Sequence, residues 1–285
     1  MLIIMKRNTK HGSIIYIITH VIALAFLYLF MIMPRMFGKP KKAPFMGALY
    51  AHRGLHDNDD GIPENSMKAF KRALNAGYGI ELDVQLTKDG VPVIFHDFTL
   101  ERMCGVSEKL ENLTYEQLRR FTLLHTEEKI PTLQEFLDMV AGAVPLIVEL
   151  KIEKTDVSLC PVVQKLLDNY KGVYCIESFN PLALLWYRIN RSKVMRGQLS
   201  TNFRYDGNYK TPLYFFLTHL LTNFITRPDF IAYNCCFKKE PSRIICRKLF
   251  KNLAVAWTVK DQEELDSVKD DFDLFIFEGF TPERR

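Results

Sequence analysis

The chain's six cysteines form no C-x-x-C pair and no Cys/His spacing of the zinc-binding kind, which excludes a zinc ribbon. Cys104, Cys160, Cys175, Cys235, Cys236 and Cys246 are scattered over apolar segments, where cysteine serves as a small hydrophobe. A domain of this size has no need of a disulfide framework. No G-x-G-x-x-G or Walker loop follows any apolar run, which counts against an open nucleotide-binding sheet. Repeats and low-complexity tracts are also missing. The basic tract from Arg35 to Lys42 lacks the aromatic interleaving of a single-strand binder, so no nucleic-acid partner is expected.

Charge is missing altogether from Gly12 to Pro34, a run dominated by Ile, Leu, Val, Phe, Tyr and Met. About twenty helical residues cross a hydrocarbon core of about 30 Å. Residues 13–33 are therefore read as one transmembrane helix, with His20 as its only strongly polar interruption, behind a short basic N-terminus (1–12). A cleaved signal peptide would have a shorter apolar region ending at small residues. Here the run exits into the basic linker 34–46, whose lysines suit anionic headgroups. Lys6, Arg7 and Lys10 precede the span; Arg35, Lys39, Lys41 and Lys42 follow it. By that single charge, a single-pass protein of the cell membrane would leave residues 47–285 on the cytoplasmic side.

Those residues alternate short apolar runs with helical patterns, which predicts a parallel (β/α) barrel. Leu49–Arg53 and Ile80–Leu86 read as strands around a helix from Asn65, its expected N-cap, to Ala76. Only Thr87-Lys-Asp-Gly90 separates Ile80–Leu86 from Val91–Asp97, too little for a crossover helix, so the two form an antiparallel hairpin. Its fold-back sets His96 opposite Leu82, between Glu81 and Asp83. Residues 98–131 are a long insertion, followed by a helix capped at Thr132 and a strand around Glu149. The charge-free stretch Thr211–Thr226 is expected to be an outer helix packed by Leu213, Phe216, Leu217, Leu220, Leu221 and Phe224, with an interfacial membrane helix as the alternative.

Glu81 and Asp83 are two apart on a strand and share a face. Carboxylates that close raise each other's pKa unless a cation lies between them. Glu149 and Lys151 repeat the pattern on another strand. Three such oxygens suit Mg²⁺ or Ca²⁺ rather than zinc. His52 and His96, at strand ends beside these acids, fit acid/base work, and Arg53 and Lys151 fit a phosphate. His11, His20, His56, His125 and His219 receive no role, and His56–Asp60 reads as a solvated turn.

The ordered segments Ala51-His-Arg-Gly54, Pro63-Glu-Asn-Ser66, Glu81-Leu-Asp-Val84, Thr87-Lys-Asp-Gly90, His96-Asp97, Ile130-Pro-Thr-Leu133, Glu149-Leu-Lys151, Ser178-Phe179 and Trp257-Thr-Val259 resemble the glycerophosphodiester phosphodiesterase family. The resemblance implies a TIM-type (β/α)8 barrel with a small insertion subdomain. It also implies one divalent cation (Ca²⁺ or Mg²⁺) on Glu81, Asp83 and Glu149, with His52 and His96 as the acid/base pair. Arg53, Lys151 and Trp257 would contact substrate. Phe275-Ile-Phe-Glu-Gly-Phe280 departs from the family's usual barrel end, and no catalytic residue is expected there. The implied reaction is hydrolysis of a glycerophosphodiester to glycerol 3-phosphate and an alcohol. Lysophospholipase D-type cleavage of a membrane lysophospholipid and a non-catalytic tethered barrel are the alternatives.

Overall fold

The computed structural model describes residues 2–205 and 211–283, with side chains of the first helix described from Ile14 onward. The side chains of Lys6, Arg7, Lys10 and His11 lie outside the described residues. Helix α1 (Leu2–Ile32) leads to β1 (Leu49–Ala51), α2 (Met67–Asn75), β2 (Gly79–Leu86) and β3 (Pro92–Ile94). Short helices α3 (Glu101–Cys104) and α4 (Tyr115–Leu118) follow, then α5 (Leu133–Val140), β4 (Leu146–Leu150), α6 (Leu159–Leu167) and β5 (Tyr174–Ser178). Next come α7 (Pro181–Asn190), β6 (Arg196–Ser200), α8 (Pro212–Thr218), α9 (Asn223–Thr226) and β7 (Phe230–Asn234). The chain ends through α10 (Pro241–Lys248), β8 (Leu253–Val259), α11 (Gln262–Val268) and β9 (Leu274–Phe277).

Eight strands run parallel in the order β1-β9-β8-β7-β6-β5-β4-β2, and β1 pairs with β2 to close the ring. This is a TIM-type barrel. β3 lies antiparallel against β2, as the four-residue turn requires. Val84 faces Ile94, and Phe95 N–H still donates to Asp83 O at 2.9 Å, so His96 falls beside Leu82 as the hairpin register predicts. The cap expected at Thr132 is formed as a capping box with Glu135, and Thr114 with Gln117 forms a second one in the insertion. The insertion packs on its own small core, with Leu100, Met103, Leu110, Leu118 and Leu123 buried.

The N-cap of α2 is Ser66, whose side chain accepts from Ala69 N, rather than Asn65. Asn65 instead adopts φ +55° and turns its amide to Asp83, so the expected cap is a residue of the site. Gly54 explains how α2 comes so close: its φ is +80°, and a Cβ there would meet the Ala69 carbonyl carbon at 2.8 Å.

The Thr211–Thr226 stretch is not one helix. It breaks into α8 and α9 around Leu220, which has φ +55°. Leu217, Leu220 and Leu221 are buried as expected, but so are Thr218, Thr222 and Asn223, while Leu213, Phe215 and Phe216 are exposed. The break rotates the second half, so no single stripe faces the sheet.

Within α1, Ile14–Ile32 is long and apolar enough to cross a membrane. Residues 34–46 run along the barrel's lower end. There Arg35 N–H donates to Pro228 O at 3.0 Å, and Phe45 plugs the base against Tyr50, Met195 and Phe230.

Candidate active site

The C-terminal ends of the strands surround a cavity of about 320 Å³, within the range of small-molecule sites. His52, Arg53, Glu81, His96, Glu149 and Trp257 line it, together with His56, Glu177 and Glu278. A larger cleft, about 480 Å³, opens beside the insertion, but neither histidine reaches it.

Strand register places the acids. Asp83 pairs with Glu149 on the neighbouring strand, and Glu149 with Glu177 on the next, so three carboxylates lie abreast across β2, β4 and β5. Carboxylate oxygens of Glu81, Asp83 and Glu149 lie within 4.8 Å of one another, and all three residues are buried. Burial, with repulsion from Asp83, Glu149 and Glu177, pushes the Glu81 carboxyl well above its ordinary range. Burial also raises Glu149, and raises Glu177 strongly with Glu149's help. Asp83 goes the other way: despite burial, the charges of His96, Lys151 and Arg53 hold it well below the usual range.

Lys151 Nζ lies 3.0 Å from Glu149 and 3.6 Å from Asp83. Asp83 Oδ1 has no hydrogen-bond partner, nor has Glu177 Oε2. A buried, oxygen-only cluster that repels itself and holds an unsatisfied lone pair fits a hard divalent cation.

Each histidine is held by an acid. His96 Nδ1 is 2.6 Å from Asp97 Oδ1, and Asp97 is in turn gripped by Arg102 at 2.7 Å. Those bonds, against burial, hold Asp97 well below the ordinary carboxylate range. An ionised Asp97 only accepts, so Nδ1 carries the proton and Nε2 is left for chemistry. His52 Nδ1 bonds the Glu278 carboxylate, which also pairs with Lys260. His52 Nε2 points towards Glu81 Oε2 at 3.8 Å. Burial, then the Arg53 charge, lowers the His52 pKa well below its usual value, so this imidazole is neutral.

The cations expected to hold phosphate are themselves anchored. Arg53 Nη1 bonds Glu64 at 2.7 Å and its Nε lies 3.2 Å from Asp83, while its backbone N–H donates to Glu81 at 3.0 Å. That backbone donation goes with φ +55°, a left-handed conformation costing a non-glycine residue about 1–3 kcal/mol. Glu64 also takes two bonds from Arg102, tying the two histidine environments together. Trp257 packs edge-on to Phe179 at 5.5 Å, and its indole N–H has no partner.

Every residue nominated from the sequence lies in or beside this one cavity. Several contributors were missed. Glu278 occupies the barrel end where no catalytic residue was expected. Glu177 shows the same signal as Glu149, an acid inside an apolar strand, and could have been found by it. Asp97 and Glu64 stood within matched segments but had no assigned role. His56, set aside with its loop, has both ring nitrogens buried without hydrogen-bond partners at the cavity wall, its Nε2 lying 3.8 Å from Glu278.

Residues 52–270 match the Glycerophosphoryl diester phosphodiesterase family. The chain belongs to that family. It is 36% identical over 146 residues to a glycerophosphodiester phosphodiesterase of Caldanaerobacter subterraneus subsp. tengcongensis, a stretch covering 47% of this chain and 58% of that one. It is 38% identical over 117 residues to one from Bacillus altitudinis, covering 39% and 46%. The matched stretch thus spans about half the length of these relatives. Among solved structures, the glycerophosphodiester phosphodiesterase of Thermotoga maritima superposes with a TM-score of 0.62 at 25% identity, over 81% of this chain and 94% of that one. An Oleispira antarctica phosphodiesterase in complex with the product sn-glycerol-3-phosphate superposes at 0.66 with 22% identity, over 82% and 93%, and shares the fold.

Proposed function

We propose that this family member hydrolyses glycerophosphodiesters to glycerol 3-phosphate and an alcohol. One observation carries the reading: two histidines, each fixed at Nδ1 by its own carboxylate, line a single cavity with a three-carboxylate cluster. Glu81, Asp83 and Glu149 would hold a divalent cation, Ca²⁺ or Mg²⁺, which supplies Lewis-acid polarisation of phosphoryl oxygens.

The chain's own groups do the rest. Lys151 stays charged because Glu149 and Asp83 outweigh its burial, and Arg53 stays charged for the same kind of reason. Together they draw the phosphate dianion-like charge of the transition state into the cavity. One histidine takes a proton at Nε2 from the attacking hydroxyl, of water or of the neighbouring glycerol carbon. As the new P–O bond forms and the ester P–O bond breaks, the other, entering the step protonated at both nitrogens, gives its Nε2 proton to the departing alkoxide. The Trp257 N–H offers a donor to the glycerol side of the substrate.

The test is turnover of glycerophosphocholine by the full chain, abolished by EDTA and restored by Mg²⁺ or Ca²⁺. Activity fully retained in EDTA removes the metal assignment, and activity retained in both His52→Ala and His96→Ala removes the acid/base assignment. A second reading, cleavage of lysophospholipids, is favoured by an apolar groove of about 390 Å³ that starts at Glu149 and Lys151 and runs past Phe179 and Phe203 to Leu213 and Tyr214. Turnover of lysophosphatidylcholine beside glycerophosphocholine measures it. A non-catalytic barrel would need a damaged site, and this one is intact in every nominated residue. The α1 helix is read as a membrane anchor, with the cytoplasmic side favoured by one positive charge.

A further inference from the structure

The last turn of α1 is part of the barrel. Ile32 is fully buried in the main core, and its carbonyl accepts from Asn223 at 2.8 Å and from Cys246 at 3.2 Å. Arg227 donates to Met33 O at 2.7 Å and lies over the Phe30 ring, which packs 6.1 Å from Phe224. Tyr28, Leu29 and Met31 are partly buried against the same core. By contrast, every side chain from Ile14 to Leu27 is exposed.

This creates a conflict of lengths. The apolar window Ile14–Ile32 has 19 residues, and at 1.5 Å each they extend about 28 Å, barely a hydrocarbon thickness. The charge-free run adds only Gly12 and Ser13 before it, so the part clear of the barrel, residues 12–27, is 16 residues or about 24 Å. The turn from Tyr28 to Ile32, about 7 Å of rise, is therefore needed for crossing while it is also fastened to the barrel. Both hold when the barrel flank around it enters the leaflet by about that depth, which is the depth of an interfacial helix, about 5–10 Å.

The flank has the surface for it. Leu213 is 48% exposed, Phe215 43%, Phe216 39% and Ile225 37%, all on α8 and α9, with Ile189 of α7 beside them at 70%. Arg204 and Lys239 are exposed at its edge, and Tyr205, 74% exposed, stacks on Phe237. Aromatic and basic side chains bordering an apolar patch suit the headgroup level. The apolar groove from Glu149 and Lys151 ends at Leu213 and Tyr214, on this same flank.

We propose that the α8–α9 flank is seated in the lipid leaflet from which α1 emerges, so that the groove leading to the catalytic carboxylates opens at the membrane. The inference rests on the reading of α1 as a membrane span. Its occupant is the bilayer itself, because the docked turn and the apolar patch are continuous.

The experiment places a tryptophan on each side of the barrel in the full chain. Phe216→Trp and Phe215→Trp mark the flank. Lys71→Trp marks exposed α2, which covers the β1–β2 gap on the opposite side in strand order. Each variant is reconstituted in phosphatidylcholine vesicles with brominated acyl chains, and its emission is compared with that of the unsubstituted chain, which holds Trp186 and Trp257. Emission lost from the added tryptophan at 215 and 216, but not at 71, is the expected result. Equal quenching at 71 and 216, or none at 215 and 216 in protein that floats with the vesicles, overturns the proposal. Protein that does not float removes the membrane span, and the proposal with it. Glycerophosphocholine turnover in the same samples reports the catalytic reading separately.

Discussion

His52 and Glu278 are each the first residue beyond two strands that pair across the barrel's closure, and their side chains are hydrogen-bonded through His52 Nδ1. The backbone makes the same join, with His52 N–H donating to Phe277 O at 2.9 Å. Closing the ring therefore orients the histidine. Glu278→Gln should lower kcat on the order of 10²-fold with KM little changed, since the imidazole loses its fixed tautomer but no substrate contact. Steady-state kinetics with glycerophosphocholine checks it. A fall in KM-linked binding alone would assign Glu278 to substrate instead.

The histidines themselves should cost more. His52→Ala and His96→Ala are each expected to lose about 10²–10⁴ in kcat. Asp97→Asn should reproduce a good part of the His96 loss, because Asp97 holds the Nδ1 proton. Circular dichroism on the same variants separates lost chemistry from lost fold.

Much of this was readable in advance, and the boundary follows physical range. The hairpin bringing His96 to Glu81 and Asp83 depends on four turn residues, and the cap at Thr132 depends on one turn. Both are local. Glu278 reaches His52 only through closure over more than two hundred residues, which no local pattern encodes. Asn65 was misread because a side-chain amide beside a helix start looks like a cap until Asp83 is known to lie behind it. Leu220 carries no glycine or proline signal for its left-handed turn, so the break between α8 and α9 was invisible.

The carboxylate cluster predicts effects of opposite sign on stability and binding. With no cation present, burial and like charge disfavour ionised Glu81, so Glu81→Gln should raise the metal-free Tm by about 2–4 °C. The same change should abolish cation binding by isothermal titration calorimetry. Differential scanning calorimetry in EDTA measures the first effect, and a lowered Tm would count against the repulsive cluster.

Acid should loosen the site from the Glu64 side. Arg102 hydrogen bonds and the Arg53 charge, against burial, hold Glu64 at about 2. A depressed native pKa gives stability that is full above the ordinary carboxylate value and lost as pH falls from about 4.5 towards 2, worth up to about 3 kcal/mol. Urea unfolding of the detergent-solubilised chain should show this loss over that window. Glu64→Gln should flatten it, at the cost of a lower stability at pH 7.

The docked end of α1 also bears on proteolysis. A cut between Arg35 and Lys42 would part the barrel from two of its buried contacts. Once the α1 side left, the slot of Ile32 would be empty and Asp229 would lose Arg35 while keeping Arg196 at 3.7 Å. Release of the barrel from α1 would therefore come with a loss of its stability.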